Sequence, residues 1–284
     1  MKRLIVTADD FGAALAVNEA VETAHRGGIL TAASLMVSGE AAGDAIARAR
    51  RLPDLKVGLH LVLVEGRPVL PMSAVPDLVD ATGQFRTNMV RAGIDMFFRP
   101  SVRRQLAAEI AAQFALFSKS GLALDHVNAH KHFHLHPTIA GLIIKIGRDF
   151  GMRAARVPAE PGRILKRIEP ASHQGPSLLT PWTALLRRQF GRAGLLTPDN
   201  VFGLAWSGAM TTSRLASLLD HLPAGLSEIY LHPATANEFT GSAPGYRYIE
   251  EYVALTAPVA VDGIKRNGIR LGGFADFSGS GVRS

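Results

Sequence analysis

The sequence predicts an α/β fold, and within that class a single-domain (β/α) barrel, complete or distorted, rather than an open sheet. Three observations carry the prediction. Short apolar runs rich in β-formers alternate singly with longer amphipathic segments along the 284 residues. Strands that alternate with helices in this way need parallel crossover connections. Eight such runs occur, as many as a (β/α) barrel uses, and none is followed by the glycine-rich phosphate loop of an open nucleotide-binding sheet.

Taken in order, the first run covers residues 4–8 and leads into Asp9-Asp10-Phe11-Gly12, with neither GxGxxG nor GxxxxGK[ST]. Val17, Val21 and Ala24 then recur at helical spacing, followed by a second strand over 33–37, a helix carrying Ala45, Ile46 and Ala49, and a third strand over 57–62. Leu106, Ile110, Phe114 and Phe117 mark the helix before a fourth strand at 125–129. The remaining strands are expected at 154–157, 202–206, 228–231 and 269–274. Two stretches, 65–100 and 158–200, break the rhythm with Pro, Gly and Arg. Both read as long loops with some helix, inserted at one mouth of a single domain spanning 1–284.

Composition narrows the chemistry. At 47% hydrophobic and 19% charged residues the chain buries a large core, which excludes a disordered or fibrous protein. With no cysteine, a disulfide framework, a thiolate zinc site, an iron-sulfur cluster and a cysteine nucleophile are all excluded, so any metal is held by His, Asp or Glu. The formal net charge of +7 suits an ordinary solvated surface or an anionic partner. Nucleic acid is disfavoured, because four Tyr and two Trp offer little stacking and the arginines are dispersed. Neither a secretory leader nor a spanning segment is legible, so a cytoplasmic protein is expected.

The active site of a barrel forms at the C-terminal ends of its strands. Asp9 and Asp10 end the first expected strand, His60 lies late in the third, His130 ends the fourth and His232 ends the seventh. Paired aspartates after a strand also make ordinary turns, and a lone His60 can be a satisfied core histidine. The convergence of five ionisable residues on one mouth is what separates a site from these alternatives. Residues 125–137 hold five of the ten histidines, and Pro137 starts a helix that fixes them at the strand end. His130, His132, His134 and His136 share a face if the segment is extended, His130 and His134 if it is helical. Imidazoles with a carboxylate make a hydrolytic zinc site or, equally, a non-haem iron site. A second carboxylate could take a proton from water and a further histidine could protonate a leaving group.

At these residues the chain resembles the YdjC family of carbohydrate deacetylases. The matching pieces are Thr7-Ala8-Asp9-Asp10-Phe11-Gly12, Val17-Asn18-Glu19-Ala20, Thr31-Ala32-Ala33-Ser34-Leu35-Met36-Val37, Gly58-Leu59-His60-Leu61 with Glu65-Gly66-Arg67-Pro68-Val69, Asp125-His126-Val127-Asn128-Ala129-His130-Lys131-His132, and Leu231-His232-Pro233. Within the family it is similar to the hopanoid-biosynthesis branch called HpnK, through Ala8 to Gly12, Ala32 to Val37 and Asn128 to Pro137. Where many relatives read Asp-Ser-His-Gln-His, this chain has Asn128-Ala129-His130-Lys131-His132, with a positive charge beside the site.

The resemblance implies a distorted barrel and one divalent metal, Zn²⁺ or another such as Mg²⁺, held by Asp10, His60 and His130. It implies removal of acetate from an N-acetylglucosamine carried on a hopanoid lipid, with Asp9 as general base and His232 as general acid, roles the two aspartates could exchange. A chitooligosaccharide-type deacetylase on soluble sugars and a non-catalytic sugar- or lipid-binding barrel are the alternatives.

A lipid-linked substrate raises the question of membrane contact, expected as peripheral and at the inner membrane. Trp182, Leu185, Leu186 and Phe190 fall on one helical face with Arg187, Arg188 and Arg192 outside it, and Met96-Phe97-Phe98-Arg99 precedes Arg103 and Arg104. Both patterns suit an interfacial helix, or equally helices packed on the barrel.

Overall fold

The computed structural model describes residues 1–170 and 180–278. Its centre is a parallel sheet of seven strands. β1 (Lys2–Phe11) is flanked by β2 (Ala32–Leu35), then β3 (Lys56–Leu61) and β4 (Val127–Ala129) on one side, and by β6 (Gly225–Leu231) and β5 (Asn200–Phe202) on the other. β7 (Ile269–Leu271) pairs with Lys2 to Leu4 of β1, on the edge that β2 takes over from Thr7 onward. Helices wrap this sheet, so its strands are apolar on both faces: residues 4–8 of β1 and all of β2 are buried.

The helices follow the expected periodicity. α1 (Leu15–Gly27) buries Val17, Val21 and Ala24, α2 (Ala42–Arg50) buries Ala45 and Ala49, and, after α3 (Met89–Phe98), α4 (Pro100–Lys119) buries Leu106, Ile110, Phe114 and Phe117. α5 (Pro137–Asp149) begins with Pro137 in its first turn, where the missing N–H costs nothing.

The last expected strand, 269–274, stops at Leu271, and two others come out more differently. Residues 154–157 form no strand; Ala155 bridges Val127, Ala154 bridges Leu196, and Val201 N–H donates to Ala159 O. The segment thus closes the gap between β4 and β5 without a continuous ladder, which is where the barrel is distorted. Arg156 sends its whole side chain inward to two carboxylates, and Pro158 has no N–H to extend the pairing. The strand expected at 202–206 starts at Asn200 and stops at Phe202. Gly203 has φ +127, and a Cβ there would stand 2.5 Å from Tyr230 O, so the chain leaves the sheet at this glycine. Beyond it, the Glu160 carboxylate accepts the N–H groups of Gly203, Leu204 and Ala205.

The stretch 65–100 is tied to the core by Val75, Leu78, Val79, Phe85 and Met96, all buried, and the buried Glu109 carboxylate accepts the N–H groups of Val69 and Leu70. The stretch 158–200 carries α6 (Gly162–Ile168) and α7 (Thr180–Arg192); its residues 171–179 lie outside the described residues. The apolar face expected on α7 divides. Leu186 and Phe190 pack with Ala140, Ala155 and Val157, whereas Trp182 and Leu185 are exposed. Further on, α8 (Thr212–Asp220), α9 (Tyr248–Thr256) and α10 (Pro258–Arg266) complete the helical layer.

Candidate active site

Consecutive residues on a regular strand point to opposite faces, yet Asp9 and Asp10 both line one cavity. The end of β1 explains how. From Ala8 to Phe11 the strand advances three residues while β2 advances two, from Ala33 to Leu35. The extra residue is a bulge, and Asp10 within it has φ +62, so the two carboxylates are aimed the same way. Gly12 follows at φ +95, its N–H accepted by Asn18 Oδ1 at 2.8 Å.

Asp10, His60 and His130 each turn one ligand atom to a common point, all within 4.8 Å of one another. His60 Nε2 lies 3.3 Å and His130 Nδ1 3.2 Å from the same oxygen, Asp10 Oδ1. His60 shows why this arrangement fits a cation. Asn128, its register partner on β4, spends its amide N–H groups on Asp9 Oδ1 at 3.1 Å and Ser34 Oγ at 3.0 Å. Asn128 Oδ1 must therefore accept the His60 Nδ1–H, at 2.7 Å. An imidazole that donates from Nδ1 and still faces a carboxylate with Nε2 is either an imidazolium or a metal ligand. Burial pushes His60 down, but Asp9 and the Asp10 contact raise it above the usual imidazole range. Burial likewise would raise Asp10, and His130 beside it holds it well below the carboxylate range.

Behind these residues runs a buried chain of hydrogen bonds. Asp125 accepts from His126 Nδ1 at 2.9 Å, and His126 Nε2 meets Ser34 Oγ at 3.0 Å, which returns the chain to Asn128. His126 fits only because residue 58 is glycine: a Cβ there would come within 2.5 Å of the His126 ring. Loss of Asn128 should be felt at the candidate metal position, because His60 would lose the acceptor that fixes its tautomer. Asn128→Ala is expected to weaken metal binding by about 10- to 100-fold, the usual cost of such a supporting partner. A chelator-competition titration measures it, and unchanged affinity would leave Asn128 a packing residue.

Asp9 is held differently. Arg156, fully buried, brackets it with Nη1 on Oδ2 and with Nη2 on Oδ1 at 3.0 Å. The same guanidinium reaches Glu228 Oε1 through Nη2 at 2.7 Å and stacks 4.4 Å over the Tyr230 ring. Burial would raise the Asp9 carboxyl, but Arg156 more than reverses this and holds it far below the carboxylate range. Asp9, Asp10, His60, His130 and His232 all line a cavity of about 1110 Å³, with Tyr230, Tyr246 and Tyr248 on its wall.

Residues 3–266 match the family described as YdjC-like protein. The chain belongs to the YdjC-like family. A carbohydrate deacetylase of Brevibacillus brevis is 30% identical over 97% of this chain and 99% of its own. A carbohydrate deacetylase of Mus musculus is also 30% identical, over 95% of this chain and 93% of its own. Among solved structures, an Enterococcus faecalis V583 protein provisionally assigned to cellobiose-phosphate cleavage superposes with TM-score 0.76 and 26% identity, covering 97% of this chain and 98% of the other.

In this YdjC-like chain the histidine-rich segment is neither a strand nor an α-helix. Residues 130–135 form a 3₁₀ turn in which Lys131 and His132 take left-handed φ of 55° and 53°. Of its histidines only His130 reaches Asp10. His132 shares a hydrogen bond with Tyr230 Oη at 2.9 Å, and burial followed by the Arg156 charge keeps it well below the usual imidazole range. His134 donates to Arg156 O at 3.0 Å and is lowered to about 3 by the same two causes. His136 sits half-buried beside Phe97 and Phe133. Lys131 meets Glu65 at 3.1 Å on the cavity rim.

The sequence reading passes over Arg156, Glu228 and Asn128. A signal for the first two exists: each is a lone charge inside an apolar run, Ala154-Ala155-Arg156-Val157 and Leu226-Ser227-Glu228-Ile229, and buried charges come in pairs. His232 lies where expected, after β6. Its backbone N–H donates to Glu251, whose Oε2 is 3.9 Å from His232 Nδ1.

Proposed function

We propose that this YdjC-like protein is a metal-dependent carbohydrate N-deacetylase. One observation carries the reading: a three-residue group able to hold a metal, a tethered carboxylate and a histidine at a further strand end share one cavity. The names of the relatives support the same class of reaction. Asp10, His60 and His130 would hold the ion. A divalent metal there would supply Lewis acidity, able to lower the pKa of water and to polarise a carbonyl.

Asp9 accepts the proton of the attacking water; Arg156 and Asn128 fix the direction of its lone pairs. His232 donates a proton to the departing nitrogen, so acetate and a free amine leave. Glu251, buried and raised by that burial, holds the His232 backbone and stands beside its ring. Tyr246, 5.3 Å from the His232 ring, and Tyr248 supply apolar faces for a pyranose.

The finer reading is an N-acetylglucosamine carried on a hopanoid lipid, with Zn²⁺ as the ion, handled in the cytoplasm at the inner membrane. The HpnK-like stretches Ala8 to Gly12, Ala32 to Val37 and Asn128 to Pro137 support it; a soluble chitooligosaccharide is the second reading. Mass spectrometry tests both, with loss of one acetyl group expected from the N-acetylglucosaminyl lipid. Turnover of soluble oligosaccharides alone selects the second reading, and no acetyl loss from either removes the proposal.

His232→Ala is expected to lower kcat by about 10²- to 10⁴-fold with metal content unchanged, the usual range for a lost general acid. An activated aryl acetate, whose leaving group needs no proton, should lose far less. Equal losses on both substrates would make His232 structural.

A further inference from the structure

Helix α3 is turned the wrong way for a helix that serves only the core. Its buried residues are the small Ala92 and Gly93 together with Met96. Its large apolar residues face outward: Val90 is 76% exposed, Ile94 55%, Phe97 48% and Phe98 71%. Their spacing puts them on one stripe. Single exposed apolar residues need no account, but a continuous helical stripe does. Four of the thirteen exposed large hydrophobics among the described residues lie in these ten positions, so the exposure is concentrated rather than scattered.

The uncompensated charge around the stripe has one sign. Arg91, Arg103 and Arg104 are exposed and make no ion pair among the described residues. The acids nearby are Asp77 and Asp95, and Arg99 faces both, at 3.0 and 3.8 Å. A second apolar edge, Trp182 and Leu185 of α7, is 47% and 40% exposed, beside the exposed Arg188 and Arg192. Both edges flank the turn that carries His130. α7 packs on that turn, and α3 reaches its end, where a Cβ on Gly93 would lie 3.4 Å from the His136 ring. Thr180 and Thr183 of α7 line the cavity itself.

We propose that α3, together with the Trp182–Leu185 edge of α7, docks on an anionic lipid surface. The apolar stripes enter the headgroup boundary while the unpaired arginines meet lipid phosphates. Charge decides the occupant. A second copy would bring the same uncompensated arginines against these, whereas an anionic bilayer complements them and the net charge of +7. Among the described residues no helix is long and apolar enough to cross a membrane, so contact at this face is peripheral.

The inference goes beyond the deacetylase reading, because binding is measured without turnover. Co-sedimentation uses the full chain with vesicles of equal parts phosphatidylglycerol and phosphatidylcholine, against phosphatidylcholine alone. Binding is expected to the anionic vesicles only and to fall as salt is raised. The triple variant Arg91→Gln/Arg103→Gln/Arg104→Gln is expected to bind at least about tenfold more weakly, each arginine near a charged surface being worth about fivefold. Phe97→Ser/Phe98→Ser should lose binding to a similar extent with an unchanged Tm. In both variants acetate release from a soluble N-acetylglucosamine oligosaccharide should equal that of the parent. That assay, run beside the N-acetylglucosaminyl lipid, separates the two readings: vesicle binding with no acetate release from either substrate ends the deacetylase proposal, and acetate release without vesicle binding ends this one. Unaltered vesicle binding in both variants, or a dimer in sedimentation velocity that Phe97→Ser/Phe98→Ser dissolves, would also overturn it.

Discussion

His60→Ala and His130→Ala are each expected to lose bound metal and activity together, with affinity falling by more than about 100-fold, the upper end of what a supporting partner alone costs. The reason is geometric. Two imidazole nitrogens converge on one oxygen of Asp10, and removal of either leaves two protein ligands for an ion that such sites hold with three. The two variants should differ in fold stability. His60 is almost wholly buried between Asn128 and Asp10, so its loss leaves the Asn128 carbonyl without a donor, whereas His130 is partly exposed at the mouth. Metal analysis of the purified variants, with Tm as a control, decides the matter. Stoichiometric metal in both would refute the ligand assignment.

Asp9→Asn should retain metal and lose turnover by about 10²- to 10⁴-fold, the range for a missing general base, whereas Asp10→Asn should weaken metal binding. The reverse pattern would exchange the two roles and leave the reaction class intact. The structure adds a stability component. Both Asp9 oxygens accept hydrogen bonds, from Arg156 and Asn128, so an amide NH₂ in that place meets a donor on either side. Breaking a buried ion pair costs about 3–5 kcal/mol, and the loss here is smaller than that because Glu228 still faces Arg156.

The acid limb of stability gives the sign. The folded Asp9 carboxyl lies below its unfolded value, since Arg156 outweighs the opposing effect of burial. Its contribution is complete above the unfolded value of about 3.9 and drains away as pH falls from there toward the folded one. Asp9→Asn should therefore flatten the fall of Tm with pH below about 4. A Tm profile as steep as the parent's would mean that other carboxylates control acid unfolding.

The residues that announce themselves in the sequence are those whose chemistry clashes with their local pattern. His60 stands out in an apolar strand, and Asp9-Asp10 stands out at the end of one. The barrel is legible for the same reason, because alternation of short apolar runs with helical spacing is a property of the chain itself. What escapes is whatever depends on approach in space. Arg156 is 147 positions from Asp9, and the sequence gives no reason for their meeting until β1 and the closing segment are placed side by side. The fifth strand fails because Arg156 and Pro158 place a buried charge and a missing donor in a run that otherwise reads as β. The histidine segment misleads because two consecutive left-handed residues belong to neither of the regular periods.

The buried end of β1 also fixes a charge balance. Asp9 and Asp10 bring two carboxylates to the mouth, Glu228 lies buried behind them, and Arg156 supplies one fixed positive charge between Asp9 and Glu228. Of these three carboxylates and one guanidinium, two negative charges are left over, and a divalent ion held by Asp10 would offset them where a monovalent ion would not. The chain as a whole carries +7. Its charges are thus sorted by depth: a negative focus inside the mouth that draws cations inward, and a positive exterior that turns toward anions.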